Sequence, residues 1–349
     1  KCIYKISHKS FVFLILRLLM GPNKKICIVT PVFNDWECLE ILYKELIEVF
    51  DGLSHTFSLL AVNDGSTQKI PEHFQSNHVI ELDKTILLNN KDIYILNLQR
   101  NLGHQKAIAC GISIVNDVFN PDYVIVMDSD GEDKPTDIIK LIDADQNGEK
   151  IIFAQRRSRQ ESYLFKYMYQ IYKVVFKILS GYVISFGNFV LIPKNQLSHL
   201  VFISEIWNHF PGGIMRSRIP YISVPIDRGK RYQGQSKMSL VSLVQHGISS
   251  ITVNIDIVSV RLLLFSVALM FITFAMFCIL ISLKLFGSYA IPGWTSTISI
   301  GLLMIMLQSF FFSLLLTFMV LNARVQKNFI PALNHLDYIR SLIQYKLNV

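Results

Sequence analysis

Cysteine is scarce in this sequence, and the little there is carries no pattern. The five thiols, Cys2, Cys27, Cys38, Cys110 and Cys278, form no CxxC pair and no metal-ligand spacing. This argues against a disulfide framework and is what a reduced, cytosol-facing domain requires. Charge is thin as well, at 17% of the 349 residues against 51% hydrophobic. That is too apolar for an ordinary soluble enzyme, yet too charged for a protein made only of membrane spans. No nucleic-acid motif is present, so the net charge of +8 points to another anionic partner, a lipid headgroup surface. The length allows about two domains.

Charge is absent altogether from residues 262–283 (LLLFSVALMFITFAMFCILISL). At about 1.5 Å of rise per residue this run crosses a hydrocarbon core roughly 30 Å thick. Residues 298–321 (ISIGLLMIMLQSFFFSLLLTFMVL) repeat the pattern with one polar interruption, Gln308, and the linker 284–297 holds Gly287, Pro292, Gly293 and Trp294. The pattern predicts a transmembrane hairpin over 261–322. Arg261 precedes the first span and Arg324, Lys327, Arg340 and Lys346 follow the second, whereas the linker carries only Lys284. Basic flanks stay inside, so the globular part and both termini are expected in the cytoplasm, with 323–349 as a cytoplasmic tail. The apolar stretch 11–20 contains Arg17 and is too short to span. Residues 1–24 therefore read as an N-terminal extension, interfacial or, over 1–19, outside the natural chain, since Met20 opens a start-like MGPNKK.

Before the hairpin, residues 25–238 alternate between two periodicities. KICIVTPVF (25–33) is a β-branched run, after which Leu39, Leu42, Leu46 and Val49 recur at helical spacing. The order returns with FSLLAVNDGS (57–66), with DIYILNLQRN (92–101) before AIACGISIV (107–115), and with YVIVMDSD (123–130) before a helix near 136–142. Such alternation predicts an α/β domain with a parallel sheet. Ligands of open α/β sheets lie beyond the carboxyl ends of the strands, where this chain carries Asn34, Asp35, Asp64, Gly65, Asn101, Asp128 and Asp130.

YVIVMDSDGED drives an apolar strand into Asp128, Asp130, Glu132 and Asp133. Negative charge so concentrated repels itself unless a cation sits there. Mg2+ or Mn2+ suits the place, taking a few carboxylate oxygens and completing its shell with diphosphate and water. Basic groups follow. AQRRSRQES sets Arg156, Arg157 and Arg159 after the strand-like 151–154, forked guanidiniums suited to phosphate oxygens. DRGKRYQGQSKMS gathers Arg228, Lys230, Arg231 and Lys237 around Gly229 and Gly234, a composition suited to a loop that closes over anions. Arg231, Ser236 and Lys237 are its expected phosphate contacts. Residues 163–179 mix Tyr, Phe and Leu with Lys166, Lys173 and Lys177, as a helix in the headgroup layer does. Residues 239–260 read as a juxtamembrane helix.

VTPVFND, VNDGST, RNLGHQKA and VMDSDGEDKP, in that order, resemble the successive signatures of family 2 inverting glycosyltransferases with the GT-A nucleotide-diphospho-sugar transferase fold. QRRSRQES, GNFVLIP and RYQGQSKMS, followed by two spans, resemble the polyprenyl-phosphate branch, which includes dolichyl-phosphate mannose synthase-like enzymes. The resemblance covers roughly residues 25–321. It implies that Pro31, Phe33, Asp35, Asp64, Asn101 and Asp128 hold the nucleotide-sugar. It implies that Asp130 and Glu132 are metal ligands, and that Asp128, Asp130, Arg156, Arg159, Arg231, Ser236 and Lys237 serve the reaction. Asn188, Arg231 and Lys237 would stand on the acceptor side. Three positions depart from the family: Asn63 and Gln68 stand where Asp is usual, and Asn188 where Asp is frequent. Glu132 stands where Gln is frequent.

The expected reaction is inverting transfer of a sugar from a UDP- or GDP-sugar to a polyprenyl (undecaprenyl- or dolichyl-type) phosphate, in a bacterial-type inner membrane. A phosphate monoester, with a second pKa of about 6, attacks without a general base, whereas a hydroxyl requires one. Asn188 cannot be that base. The alternative keeps the donor and uses a saccharide hydroxyl in polysaccharide or glycolipid assembly. A non-catalytic scaffold would not need the acidic cluster, and spans without intramembrane charge offer no transport pathway. Membrane lipids are expected partners, nucleic acid is not, and homo-oligomer formation is left open.

Overall fold

The computed structural model describes residues 23–51, 53–82, 89–145, 147–156, 170, 174–181, 186–233, 247, 249, 251–286, 293–325 and 329–347. The chain forms two compact units. The first comprises Lys1–Glu161, Ile184–His246 and Phe329–Val349, and the second Ser162–Val183 and Gly247–Asn328.

In the first unit the elements run β1 (Lys25–Val32), α1 (Trp36–Asp51), β2 (Thr56–Asn63), β3 (Phe74–Ile80), β4 (Asp92–Leu98), α2 (His104–Val118), β5 (Tyr123–Val126) and α3 (Asp137–Ala144). They continue with β6 (Ile151–Arg156), β7 (Val190–Pro193), α4 (Lys194–Leu200), a 3-10 turn (Ser204–Trp207), α5 (Phe210–Arg216) and β8 (Tyr221–Ile226). Among the described residues one sheet of nine strands holds them, joined by β9 (Ile339–Leu347) from beyond the long apolar helices, in the order β3-β9-β4-β2-β1-β5-β7-β6-β8. The contiguous block β4-β2-β1-β5 is parallel, as the alternation predicts, and β7 runs antiparallel beside β5. Parallel strands buried on both faces need unbroken apolar runs; Ile26 to Val29 and Phe57 to Val62 supply them.

Helix α1 lays Leu39, Leu42, Tyr43, Leu46 and Phe50 on one face of the sheet, together with Ile138 and Leu141 of α3. Helix α2 packs on the other with Ile108, Ile112 and Val115. It approaches closely because position 111 lacks a side chain: a Cβ on Gly111 would lie 2.7 Å from Val29 and Val62.

Strand β9 (Ile339–Leu347) corrects the expectation of a tail. After the hairpin the chain re-enters the first unit through a turn of helix α8 (Pro331–Asn334) and a 3-10 turn (His335–Tyr338), then inserts between β3 and β4, antiparallel to both. Ile339, Leu342 and Tyr345 are buried there. The first unit is accordingly discontinuous, taking in residues 329–347 as well as most of the block expected over 25–238. Residues 170 and 174–181, expected within that domain, group with the hairpin instead.

The second unit contains helices α6 (Ile255–Phe286) and α7 (Trp294–Val325), each long and apolar enough to cross a membrane. Only 17% and 11% of their most apolar windows are buried within the protein, which a soluble core helix does not show. They pack together with a Ser266–Ser313 hydroxyl contact between them, the small polar glue usual between membrane helices. Most of the expected interfacial stretch 163–179 and of 239–254 lies outside the described residues. Residues 255–260 are the first turns of α6, and 174–180 are helical with Val174, Val175 and Ile178 exposed.

Candidate active site

Loops at the carboxyl ends of β1, β2, β4 and β5 converge. Asn34 follows β1 in the left-handed region (φ 56°), which Asn tolerates better than most residues. Its Oδ1 accepts from the amides of Thr67 and Gln68 at 2.9 and 3.0 Å, and its own amide donates to Ser66 Oγ at 3.0 Å. The two loops are thereby stitched together, with Phe33 41% exposed beside them. Pro31 is the penultimate residue of β1, and Asp35 leads into α1, its carbonyl accepting from the Leu39 amide.

Asp64 is buried, and its carboxylate accepts from the Leu102 and Gly103 amides at 2.6 and 3.0 Å. Burial nonetheless holds its pKa above the ordinary value. The side chain expected at the nucleoside thus fixes the loop after β4. Gly65 (φ 66°) makes room for that loop, since a Cβ there would lie 2.5 Å from the Asn101 amide. Asn101 itself is exposed.

Beyond β5 the carboxylates are met by cations. Arg231 reaches Asp130 at 2.6 Å and Glu132 at 3.4 Å. Arg228 reaches Glu132 at 2.6 Å, while Arg156 reaches Asp133 at 3.0 Å and Glu132 at 3.6 Å. The segment 228–232 is also tied by backbone: Gly229 donates to Glu132 O and Tyr232 to Asp130 O, each at 2.8 Å. Burial and the neighbouring Asp128 carboxylate push Asp133 up to about 7 and raise Asp130. Asp128 goes the other way: burial opposes its charge, but His104, Arg156 and Arg231 outweigh it.

The strap leaves no room at Gly131, which has φ 87° and the Tyr232 ring 2.8 Å from where a Cβ would be. Gly131→Ala is therefore expected to destabilise by about 1–3 kcal/mol and to lower turnover at least tenfold. Thermal unfolding and a transfer assay check both, and unchanged values would show that the strap does not shape the site.

His104, at the start of α2, was given no role by the sequence reading although RNLGHQKA was marked. Its Nε2 lies 3.2 Å from Asp128 Oδ1 and 2.9 Å from Asn188 Nδ2. Asn188 Oδ1 accepts from Gln105 Nε2 at 3.1 Å, and Gln105 Oε1 from the Phe210 amide at 2.6 Å. Asn188 is thus brought to the carboxylate centre. Burial works against a charged His104 ring, but Asp128 outweighs it and the imidazole pKa is raised. His104→Ala is expected to reduce turnover about tenfold, the loss of a charge-assisted contact, with normal thermal stability. Unaltered kinetics would leave His104 a surface neighbour only.

Of the remaining expected residues, Arg159, Ser236 and Lys237 lie outside the described residues. Arg231 and Arg156 are at the centre, and so is Arg228, a member of the expected basic loop though not one of its expected phosphate contacts.

Among the described residues no group of three or more His, Cys, Asp or Glu is arranged to hold a metal ion by itself. The donor set still fits one that substrate completes. Asp128 Oδ1 is buried and, beyond the contact with His104, accepts no hydrogen bond from the described residues. Asp130 adds a hard carboxylate oxygen of the kind Mg2+ and Mn2+ prefer. Glu132 is the more heavily engaged of the two expected ligands, with three guanidiniums on it.

Residues 27–207, more than half of the chain, match the family described as Glycosyl transferase family 2. The chain belongs to glycosyltransferase family 2. It is an enzyme of that class with a GT-A fold. This glycosyltransferase is 28% identical over 292 residues to the uncharacterized glycosyltransferase YkcC of Bacillus subtilis, covering 81% of this chain and 85% of the relative. It is 26% identical over 238 residues to the undecaprenyl-phosphate 4-deoxy-4-formamido-L-arabinose transferase of Photorhabdus laumondii, covering 63% of this chain and 65% of that one. Among solved structures, mannosyl-3-phosphoglycerate synthase from Rubrobacter xylanophilus is similar at TM-score 0.44 and 12% identity, over 70% of this chain and 75% of its own. In the family 2 frame the missed His104 has a retrospective signal: it opens the helix that follows a strand whose carboxyl end faces the site.

Proposed function

We propose that this glycosyltransferase moves a sugar from a nucleotide-diphosphate donor to a polyprenyl phosphate at the cytoplasmic face of a membrane. The observation that carries the reading is the convergence of Arg156, Arg228, Arg231 and His104 on one carboxylate cluster at the carboxyl edge of the sheet. That much cationic character is what a site must offer if a phosphate acceptor is to approach a diphosphate donor. An acceptor phosphate oxygen attacks the anomeric carbon and forms the new C–O bond. The bond to the donor diphosphate breaks with inversion, and the nucleoside diphosphate leaves with the electron pair. Asp128 and Asp130 would hold a divalent cation, which when bound neutralises the leaving group. Asn34, Phe33 and the 63–68 loop would orient the nucleoside. The name of the Photorhabdus relative, an undecaprenyl-phosphate transferase, supports this acceptor class.

The cytoplasmic placement of the catalytic unit and both termini is supported by the basic flanks of the hairpin and by connectivity. The chain leaves the first unit at His246 and returns to it at Phe329, so both ends of the hairpin belong on one side. A second reading, with a saccharide hydroxyl as acceptor, gains from His104, an imidazole at the site that the sequence argument had not counted. Its raised pKa favours the charged ring, a poor base but a good partner for phosphate. Titrating UDP and GDP into purified protein with and without Mg2+ or Mn2+ tests the donor half. Binding of one nucleotide that depends on the metal is expected; absence of binding in every case would remove the donor assignment.

A further inference from the structure

Three polar side chains stand in register across three adjacent strands: Ser341 on β9 opposite Asn97 on β4, and Asn97 opposite Asn63 on β2. Asn97 Nδ2 donates to Ser341 Oγ at 3.1 Å, and Asn63 Nδ2 donates to Asn97 Oδ1 at 2.8 Å. The row does not end in the sheet. Asn63 Oδ1 accepts from the Ser66 amide at 3.0 Å, Ser66 Oγ accepts from the Asn34 amide at 3.0 Å, and Asn34 Oδ1 caps the Thr67 and Gln68 amides. We propose that Ser341 and Asn97 are positioning residues for the donor-nucleoside loop, so that the strand following the membrane hairpin helps to set donor affinity. The proposal rests on the reading of residues 33–35 and 63–68 as that loop.

The chemistry assigns each amide a direction. Asn97 accepts from Asn63 and donates to Ser341, so its orientation is fixed only while the hydroxyl is present. Without it, the half-buried Nδ2 loses its partner and the amide is free to rotate. Asn63 then loses the acceptor that orients its own Oδ1 toward Ser66. The backbone at Asn34, held in the left-handed region, depends on the far end of the same chain. A residue that only filled space at 341 would leave all of this unchanged, because the β4–β9 ladder bonds are made by backbone whatever the side chain.

The test uses the full-length protein in detergent micelles or nanodiscs. Ser341→Ala is expected to raise the donor KM about fivefold, the net contribution of one hydrogen bond, with kcat within about twofold. Ser341→Thr, which keeps the hydroxyl and suits a strand, should restore the KM. Asn97→Ala combined with Ser341→Ala should be no worse than Asn97→Ala alone. Without any nucleotide, hydrogen exchange at the Ser66 and Thr67 amides should quicken severalfold in Ser341→Ala and not in Ser341→Thr. Wild-type KM and exchange in Ser341→Ala, or equal losses for the Ala and Thr variants, would overturn the proposal. If exchange responds as expected but wild-type protein binds no nucleotide, the relay stands and the donor-loop reading falls.

Discussion

A chain cut after Asn328 is expected to lose the folded catalytic unit, although every family signature in it is intact. Among the described residues strand β9 is the only partner of β3 in the sheet and the outer partner of β4. Removing it leaves β3 unpaired and exposes the edge of β4. It also empties the places of Ile339, Leu342 and Tyr345 in the two cores. Full burial of one such side chain is worth about 1.5–3 kcal/mol, so three account for a large part of the ~5–15 kcal/mol that stabilises a domain. The turn before β9 adds contacts of its own: the Trp207 ring packs at a tilt against those of Phe329 and Tyr338, and His335 lies 3.3 Å from Asp117. Limited proteolysis and near-UV circular dichroism of the truncated and full-length proteins provide the check. A truncated protein that is protease-resistant and as stable as full length would contradict the role given to β9.

Asp130→Asn is expected to lower transfer by at least about 10²-fold while the protein stays folded. The substitution keeps the size of the side chain and the carbonyl oxygen that accepts from the Glu132 amide at 2.9 Å. It removes the charge that Arg231 meets at 2.6 Å and that a divalent cation would share. Turnover, a metal titration and thermal unfolding together distinguish the outcomes. Full activity with normal metal dependence would remove Asp130 from the metal site; loss of folding would make its role structural.

Much of the fold was legible because it is written locally. Two uncharged runs announced the long helices, and β-branched segments followed by helical spacing announced β1, β2, β4 and β5. The acidic turn after β5 and the polar residues at the strand ends marked the edge where the loops do converge. What escaped was written across long separations. Asn97 and Ser341 are 244 residues apart, so nothing near either shows that HLDYIRSLIQYKL returns to the sheet rather than trailing from the membrane. The pairing of Asn188 with His104 is equally non-local. Two amides from the loop after β4 donate to the buried Asp64 carboxylate, partners that a buried polar group requires and that the residues around Asp64 do not reveal. The acidic cluster was read as waiting for a metal; the arginines that already neutralise much of it come from strands and loops 23 to 101 residues away.

The most direct test of the proposed reaction offers one enzyme two acceptors. Purified full-length protein is incubated with Mg2+ or Mn2+, a panel of labelled UDP- and GDP-sugars, and either a polyprenyl phosphate or an oligosaccharide. Label is expected in the organic-extractable lipid fraction, with release of nucleoside diphosphate and no need for the oligosaccharide. Label entering only the oligosaccharide would contradict the polyprenyl-phosphate assignment and leave the hydroxyl-acceptor reading in its place.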